Sequence, residues 1–310
     1  MADLFCFEQD DQCLGRPPKS YVDTVLLKDK VLDNLLAVED SYVLSADYFG
    51  RQTNYFQQEL RPSMRKLVVD WMFEVCEEQQ REEDVFWCAV NYMDRFLSMI
   101  RIRRCQFQLL GATCMFLASK LLETVPLTSE KLIIYTDHSI TLEQLLSFEQ
   151  LVLTKLKWDL MAITPNAFLE HILHRLPVDK EQAQLLRKHA QTFIVLCATD
   201  YSFAMQPPSL IAASSVAAAA NGLRMLIPKV MDRLHRITKT ETDYLILWRD
   251  RMEALLNKNL GPAAPKDVDH SAVTKTHTVE GEAEKPSTPT GVDEVEIVTS
   301  SMAQHHSPLC

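Results

Sequence analysis

LLGATCMFLASKLL, residues 109–122, decides the fold. Nothing in 109–119 is charged, and Lys120 is the first break in the apolar run. A helix that is apolar around its whole circumference belongs at the centre of a bundle, because no face of it tolerates water. Upstream, Ser63 precedes Met64, Leu67, Val68, Trp71, Met72 and Val75, which share one helical face. Val85, Phe86, Ala89, Met93, Phe96 and Leu97 repeat that period. Downstream, Thr128 can cap a fourth helix, and Thr141 with Gln144 reads as a capping box opening a fifth that runs to about Leu156.

The pattern then restarts. Thr164-Pro165 pairs an N-cap with proline at the first helical position. Asp179 with Gln182 forms a second capping box. Pro208 opens SLIAASSVAAAANGL, residues 209–223, another nearly all-apolar helix, and Thr240 with Asp243 begins a last one. The spacing predicts an all-α chain of two five-helix units, each wrapped on its own third helix.

Composition excludes several function classes. Only seven of 310 residues are glycine and none forms G-x-G, so dinucleotide fingerprints, P-loops and kinase glycine loops are absent. There is no G-x-S-x-G or H-E-x-x-H, and His171 with His174 lacks an acidic third ligand; no metal or cofactor is expected. Net charge is −10, which counts against nucleic acid as a partner. The eight cysteines form no C-x-x-C pair, and several lie in apolar stretches as reduced core thiols would. The acidic N-terminus is unlike a signal peptide, and residues 201–223 are too polar for a membrane span, so an intracellular protein without a membrane partner is expected. Residues 261–310 contain no aromatic residue and carry eight acids against three lysines. Such a segment buries too little apolar surface to offset its ordering entropy and is expected to be disordered. The expected domains are a flexible tail over 1–19, a first unit with a preceding helix over 20–157, a second unit over 158–260, and the acidic tail over 261–310.

Specific residues then go beyond periodicity. Met64-Arg65-Lys66-Leu67-Val68-Val69-Asp70-Trp71-Met72, Asn91-Tyr92-Met93-Asp94-Arg95-Phe96-Leu97-Ser98, and the stretch from Leu109-Leu110-Gly111 to Ala118-Ser119-Lys120 closely resemble the first repeat of the cyclin box. Phe148-Glu149-Gln150-Leu151-Val152-Leu153 and Lys155-Leu156-Lys157-Trp158-Asp159-Leu160 continue it in order. Cys76-Glu77-Glu78-Gln79, Leu186-Arg187-Lys188-His189-Ala190-Gln191-Thr192-Phe193 and the N-terminal Leu4-x-Cys6-x-Glu8 resemble the D-type branch.

The resemblance implies two tandem cyclin boxes and a regulatory, non-catalytic subunit that activates a cyclin-dependent serine/threonine kinase of the four/six class at the G1/S transition. It implies that Lys120 and Glu149 grip the kinase, although by themselves the two could be ordinary solvated helix charges. Arg65 and Asp94 would form a buried ion pair holding two helices together. Met64, Leu67, Val68 and Trp71, with Glu74, Arg104 and Gln108, match the family's docking patch for Arg-x-Leu peptides. Lys66 and Val68 depart from the commonest form of that patch. Without the resemblance, the stripe reads as plain helix core.

In an extended chain Leu4, Cys6 and Glu8 point the same way. The resemblance makes them a tether for a retinoblastoma-family protein. Ser287-Thr288-Pro289 resembles the D-type phosphorylation site that triggers export and ubiquitin-dependent destruction, with Thr288 as acceptor. Kinase inhibitor proteins and a ubiquitin ligase are further implied partners, and nucleus and cytoplasm the implied locations. The alternative is a cyclin-fold scaffold of the transcription-factor type without a kinase. DNA readers of that kind need a basic face, whereas residues 1–260 carry 29 basic and 34 acidic side chains.

Overall fold

The computed structural model describes residues 28–44, 46–50 and 56–260. These form α1 (Asp29–Val38), α2 (Pro62–Glu78), α3 (Glu83–Leu97), α4 (Phe107–Leu122), α5 (Ser129–Tyr135) and α6 (Leu142–Lys155). The second half adds α7 (Pro165–Arg175), α8 (Lys180–Thr199), the one-turn α9 (Tyr201–Ala204), α10 (Pro208–Gly222), α11 (Val230–Thr238) and α12 (Thr242–Leu260). Among the described residues there is no strand.

Helix α4 touches α2, α3, α5 and α6, and α10 touches α7, α8, α11 and α12. The two central helices start at Phe107 and Pro208, 101 residues apart. Each organises its own hydrophobic core: Leu110, Met115, Met93, Phe96 and Val152 in the first, Phe168, Ile194, Val216 and Met252 in the second. The helix of residues 104–122 is long and apolar enough to cross a membrane, but most of it is buried inside this fold. Small residues of α10, from Ala212 to Ala220, are buried almost without exception, so neighbouring helices approach it closely. Burial pushes the Cys76 and Cys88 thiols up to about 12, which keeps them protonated and inert.

Local signals set most boundaries. Both capping boxes form: Gln144 N donates to Thr141 Oγ1 at 3.2 Å, and Gln182 N to Asp179 Oδ1 at 2.8 Å. Two expected starts differ. Helix α2 begins one residue before Ser63, with Pro62 at its first position and no side-chain cap. The last helix opens at Thr242, three residues after Lys239, the left-handed C-cap of α11 with φ 59°. The Thr164-Pro165 start of α7 forms as expected, with the Thr164 hydroxyl donating to Asp84 Oδ1 of α3 at 2.7 Å instead of capping its own helix.

Helix α1 precedes the first unit in sequence, yet its Leu32 is buried in the core of the second. Glu39, in the 3-10 turn after α1, accepts from Ser209 N at 2.8 Å and Ser209 Oγ at 2.7 Å. A carboxylate is thereby placed at the N-terminus of α10, where the helix dipole favours it. Burial is the largest influence on that carboxyl and holds it above its ordinary value despite both bonds. The expected tails, 1–19 and 261–310, lie outside the described residues.

Candidate functional site

Lys120 lies in the last turn of α4, where a cation complements the helix dipole. Its Nζ stands 4.0 Å from the Phe116 ring centroid, one turn earlier. Glu149, in the middle of α6, forms an ion pair with Lys120. The lysine side chain keeps 39% of its surface exposed and the glutamate 12%. An ammonium has three donors and a carboxylate about four acceptor positions, so this pair leaves both groups with capacity for a further partner.

The two helices that carry the pair also expose apolar side chains. Leu121 and Leu122 follow Lys120 and are both exposed; Leu142 and Leu146 are exposed and share Glu149's face of α6 at helical spacing. Beyond the end of α6, Lys157 and Trp158 take left-handed φ values of 54° and 61°. Such backbone costs on the order of 1–3 kcal/mol per residue when glycine is not used. The Trp158 side chain is 73% exposed as a result of where this turn leaves it. Sequence reasoning missed Leu142, Leu146 and Trp158, since an apolar side chain at helical spacing reads as core. The sole signal for Trp158 was a tryptophan placed just past a helix end.

The α2 stripe is only partly core. Met64, Val68 and Trp71 are half-buried, Leu67 is 69% exposed, and Glu74, one turn beyond Trp71, is exposed. Gly111 explains how α2 and α4 meet here. A Cβ on Gly111 would stand 2.9 Å from Val68 Cγ1 and 3.3 Å from Met72 Sδ, so glycine permits the approach. Gln108, one turn before Gly111, is half-buried and accepts from Ser139 Oγ at 3.3 Å. Arg104 is exposed at the start of the 3-10 turn leading into α4, and its N–H donates to Glu59 at 2.9 Å. The stripe is thus an exposed apolar edge with an acid at one end.

Arg65 and Asp94 meet between α2 and α3 with both side chains buried. Arg65 Nε donates to Asp94 Oδ1 at 2.8 Å and Nη2 to Oδ2 at 2.6 Å. Its remaining nitrogen, Nη1, donates to the carbonyl of Ala198 at 2.9 Å, at the end of α8 in the other unit. Tyr48 Oη donates to Asp94 Oδ1 at 2.6 Å. Burial opposes the guanidinium charge, yet the Asp94 carboxylate overrides it and holds Arg65 above its ordinary range. Tyr48 and Ala198 carry no sequence signal for this role.

Leu4, Cys6, Glu8 and Thr288 lie outside the described residues. Among the described residues no cluster of His, Cys, Asp and Glu could hold a metal.

Sequence profiles of two families match the chain: "Cyclin, N-terminal domain" over residues 30–161 and "Cyclin, C-terminal domain" over 163–278. The chain is 45% identical over 302 residues to G1/S-specific cyclin-D2 of Xenopus laevis, covering 95% of this chain and all of that protein. It is 48% identical over 286 residues to G1/S-specific cyclin-D1 of Mus musculus, covering 90% and 95%. A viral cyclin from herpesvirus saimiri has the same fold, with a TM-score of 0.65 at 22% identity over 73% of this chain and 96% of that one.

Proposed function

This chain belongs to the D-type cyclin family, the regulatory subunits of cyclin-dependent kinases at the G1/S transition, and we propose that it docks a kinase of the four/six class through the α4–α6 surface centred on Lys120 and Glu149. The observation that carries this reading is an ion pair whose lysine stays 39% exposed, on two helices that also expose Leu121, Leu122, Leu142 and Leu146. Exposed leucines beside an accessible charge are a common mark of a protein interface. In this reading the charges set register, and the exposed leucines supply most of the association free energy.

Activation follows as a population shift. Protein kinases need a Lys–Glu ion pair assembled on their mobile αC helix before phosphoryl transfer proceeds. A rigid surface that binds the assembled state better draws the population toward it; inverting a 1:99 ratio takes about 5.5 kcal/mol of differential binding. In this reading the kinase supplies all of the phosphoryl-transfer chemistry, and this chain has no catalytic site of its own.

Substrate choice is assigned to two further regions. The α2 edge takes Arg-x-Leu peptides of substrates and kinase inhibitor proteins, with Glu74 receiving the basic group. Leu4, Cys6 and Glu8 tether a retinoblastoma-family protein, which raises its effective concentration at the kinase. Phosphorylated Thr288 gains about −1.5 to −2 charges for a ubiquitin ligase to read, and the protein moves between nucleus and cytoplasm.

Co-expression with a kinase of this class tests the central assignment. The Lys120→Ala, Glu149→Ala double variant should keep its helical circular dichroism and melting temperature while recovering less than about a tenth of the kinase activity. Full recovery of kinase by the folded double variant would remove these residues from the interface.

A further inference from the structure

A groove of about 620 Å3 lies between the two cyclin boxes, away from Lys120 and Glu149. One wall is a face of α2 from Lys66 through Phe73 to Glu77; the other is a face of α8 from Lys188 through Val195 to Thr199. Each face repeats at helical spacing for about three turns, roughly 16 Å. Phe86 and Leu256 help to complete a mostly apolar floor. Contacts between the boxes mark the two ends. At one, Arg65 donates to the Ala198 carbonyl; at the other, Gln191 on α8 donates to the Glu83 carboxylate at the start of α3.

The second end is acidic. Glu77, Glu82 and Glu83 stand there against Lys188. Arg81 is drawn into an ion pair with Glu123 at 3.2 Å, and Lys66 into one with Asp70 at 2.9 Å. The balance is an apolar trough, three helical turns long, with excess negative charge at one mouth.

We propose that this groove docks a short amphipathic helix from a partner protein, with apolar anchors at i, i+3, i+4 and i+7 and basic residues in its last turn. The anchors fill the trough in the helix-in-groove manner. The basic turn meets Glu77 and Glu82, and cations at a helix C-terminus are favoured by its own dipole as well. The inference does not rest on kinase docking at α4–α6, and the two can fail separately.

The probe is a fluorescein-labelled amphipathic peptide of about four helical turns, with leucines at the anchor spacing and two arginines in its last turn; a second version carries glutamates in their place. Binding to the full chain is read by fluorescence anisotropy. The arginine peptide should bind, and the glutamate peptide should bind roughly tenfold more weakly. Thr192→Trp fills the trough from an exposed position on α8 and should abolish binding of both while leaving the melting temperature unchanged. Glu77→Lys with Glu82→Lys should reverse the preference between the two peptides, which a merely structural effect would not do. No binding of the arginine peptide overturns the proposal, as does equal binding of both peptides to every variant. Binding that emerges only after residues 264–310 are removed would assign the groove to this chain's own C-terminus and overturn it equally.

Discussion

Arg65 shows how much one side chain can hold. Its three nitrogens go to Asp94 twice and to Ala198 once, so it joins α2 to α3 and the first box to the second. Asp94→Asn removes the countercharge and leaves a guanidinium stranded in a dry site. It should cost about 3–5 kcal/mol of unfolding free energy in urea titration, with function lost through folding. His171 offers a pH test. Burial first, then Arg175 and His174, holds its imidazole below the ordinary 6.5. The unfolded chain therefore binds the extra proton first, and His171 makes the fold less stable as pH falls below about 6.5. The urea midpoint of His171→Gln should fall less than the parent's from about pH 7 to pH 5.5. Glu39 is common to both proteins and its raised carboxyl acts in the opposite direction, so the difference isolates the histidine.

From Leu109 to Ser119 helix α4 is buried on every side, and it can meet α2 closely only because residue 111 has no side chain. Gly111→Ala gains up to about 1 kcal/mol of helix propensity. The new methyl group, however, would overlap a stiff Val68, and overpacking of this kind costs typically 1–3 kcal/mol. Net destabilisation is expected, and Val68→Ala added to Gly111→Ala should recover part of it. A double-mutant cycle on thermal unfolding reads that coupling directly; simple additivity would show that the two side chains do not meet. The same elements carry the proposed sites: α4 offers Lys120 at its C-terminal end, and α2 presents its half-exposed edge beside the start of α4.

At the scale of the molecule, one pair of boxes presents separate surfaces. The proposed kinase surface lies on α4 and α6, the proposed peptide edge on α2, and the apolar trough between α2 and α8. Separate surfaces predict separable losses. Leu67→Asp changes an exposed position and should leave kinase recovery intact. Phosphorylation of a substrate bearing an Arg-x-Leu segment should fall several-fold through a higher KM, with kcat kept. An equal loss on a short peptide lacking that segment would show that the edge is not a docking site.

Much of this architecture follows from local order in the chain. The apolar circumference of 109–118 and the alanines of 212–220 could only be central helices, and Thr141-x-x-Gln144 or Asp179-x-x-Gln182 could only open new ones. Helix α11 escaped notice because it is short and basic and is bounded by left-handed Lys229 and Lys239, none of which gives a cap signal. The family motifs pointed to Lys120 and Glu149 as single residues. Their pairing, the exposure of Leu146 and Trp158, the third bond of Arg65 and the docking of α1 on the second box were decided by tertiary structure alone. The reason is physical: periodicity and caps depend on neighbours a turn away, whereas these contacts join residues 29 to 206 positions apart, and only the packing of two cores brings them within reach.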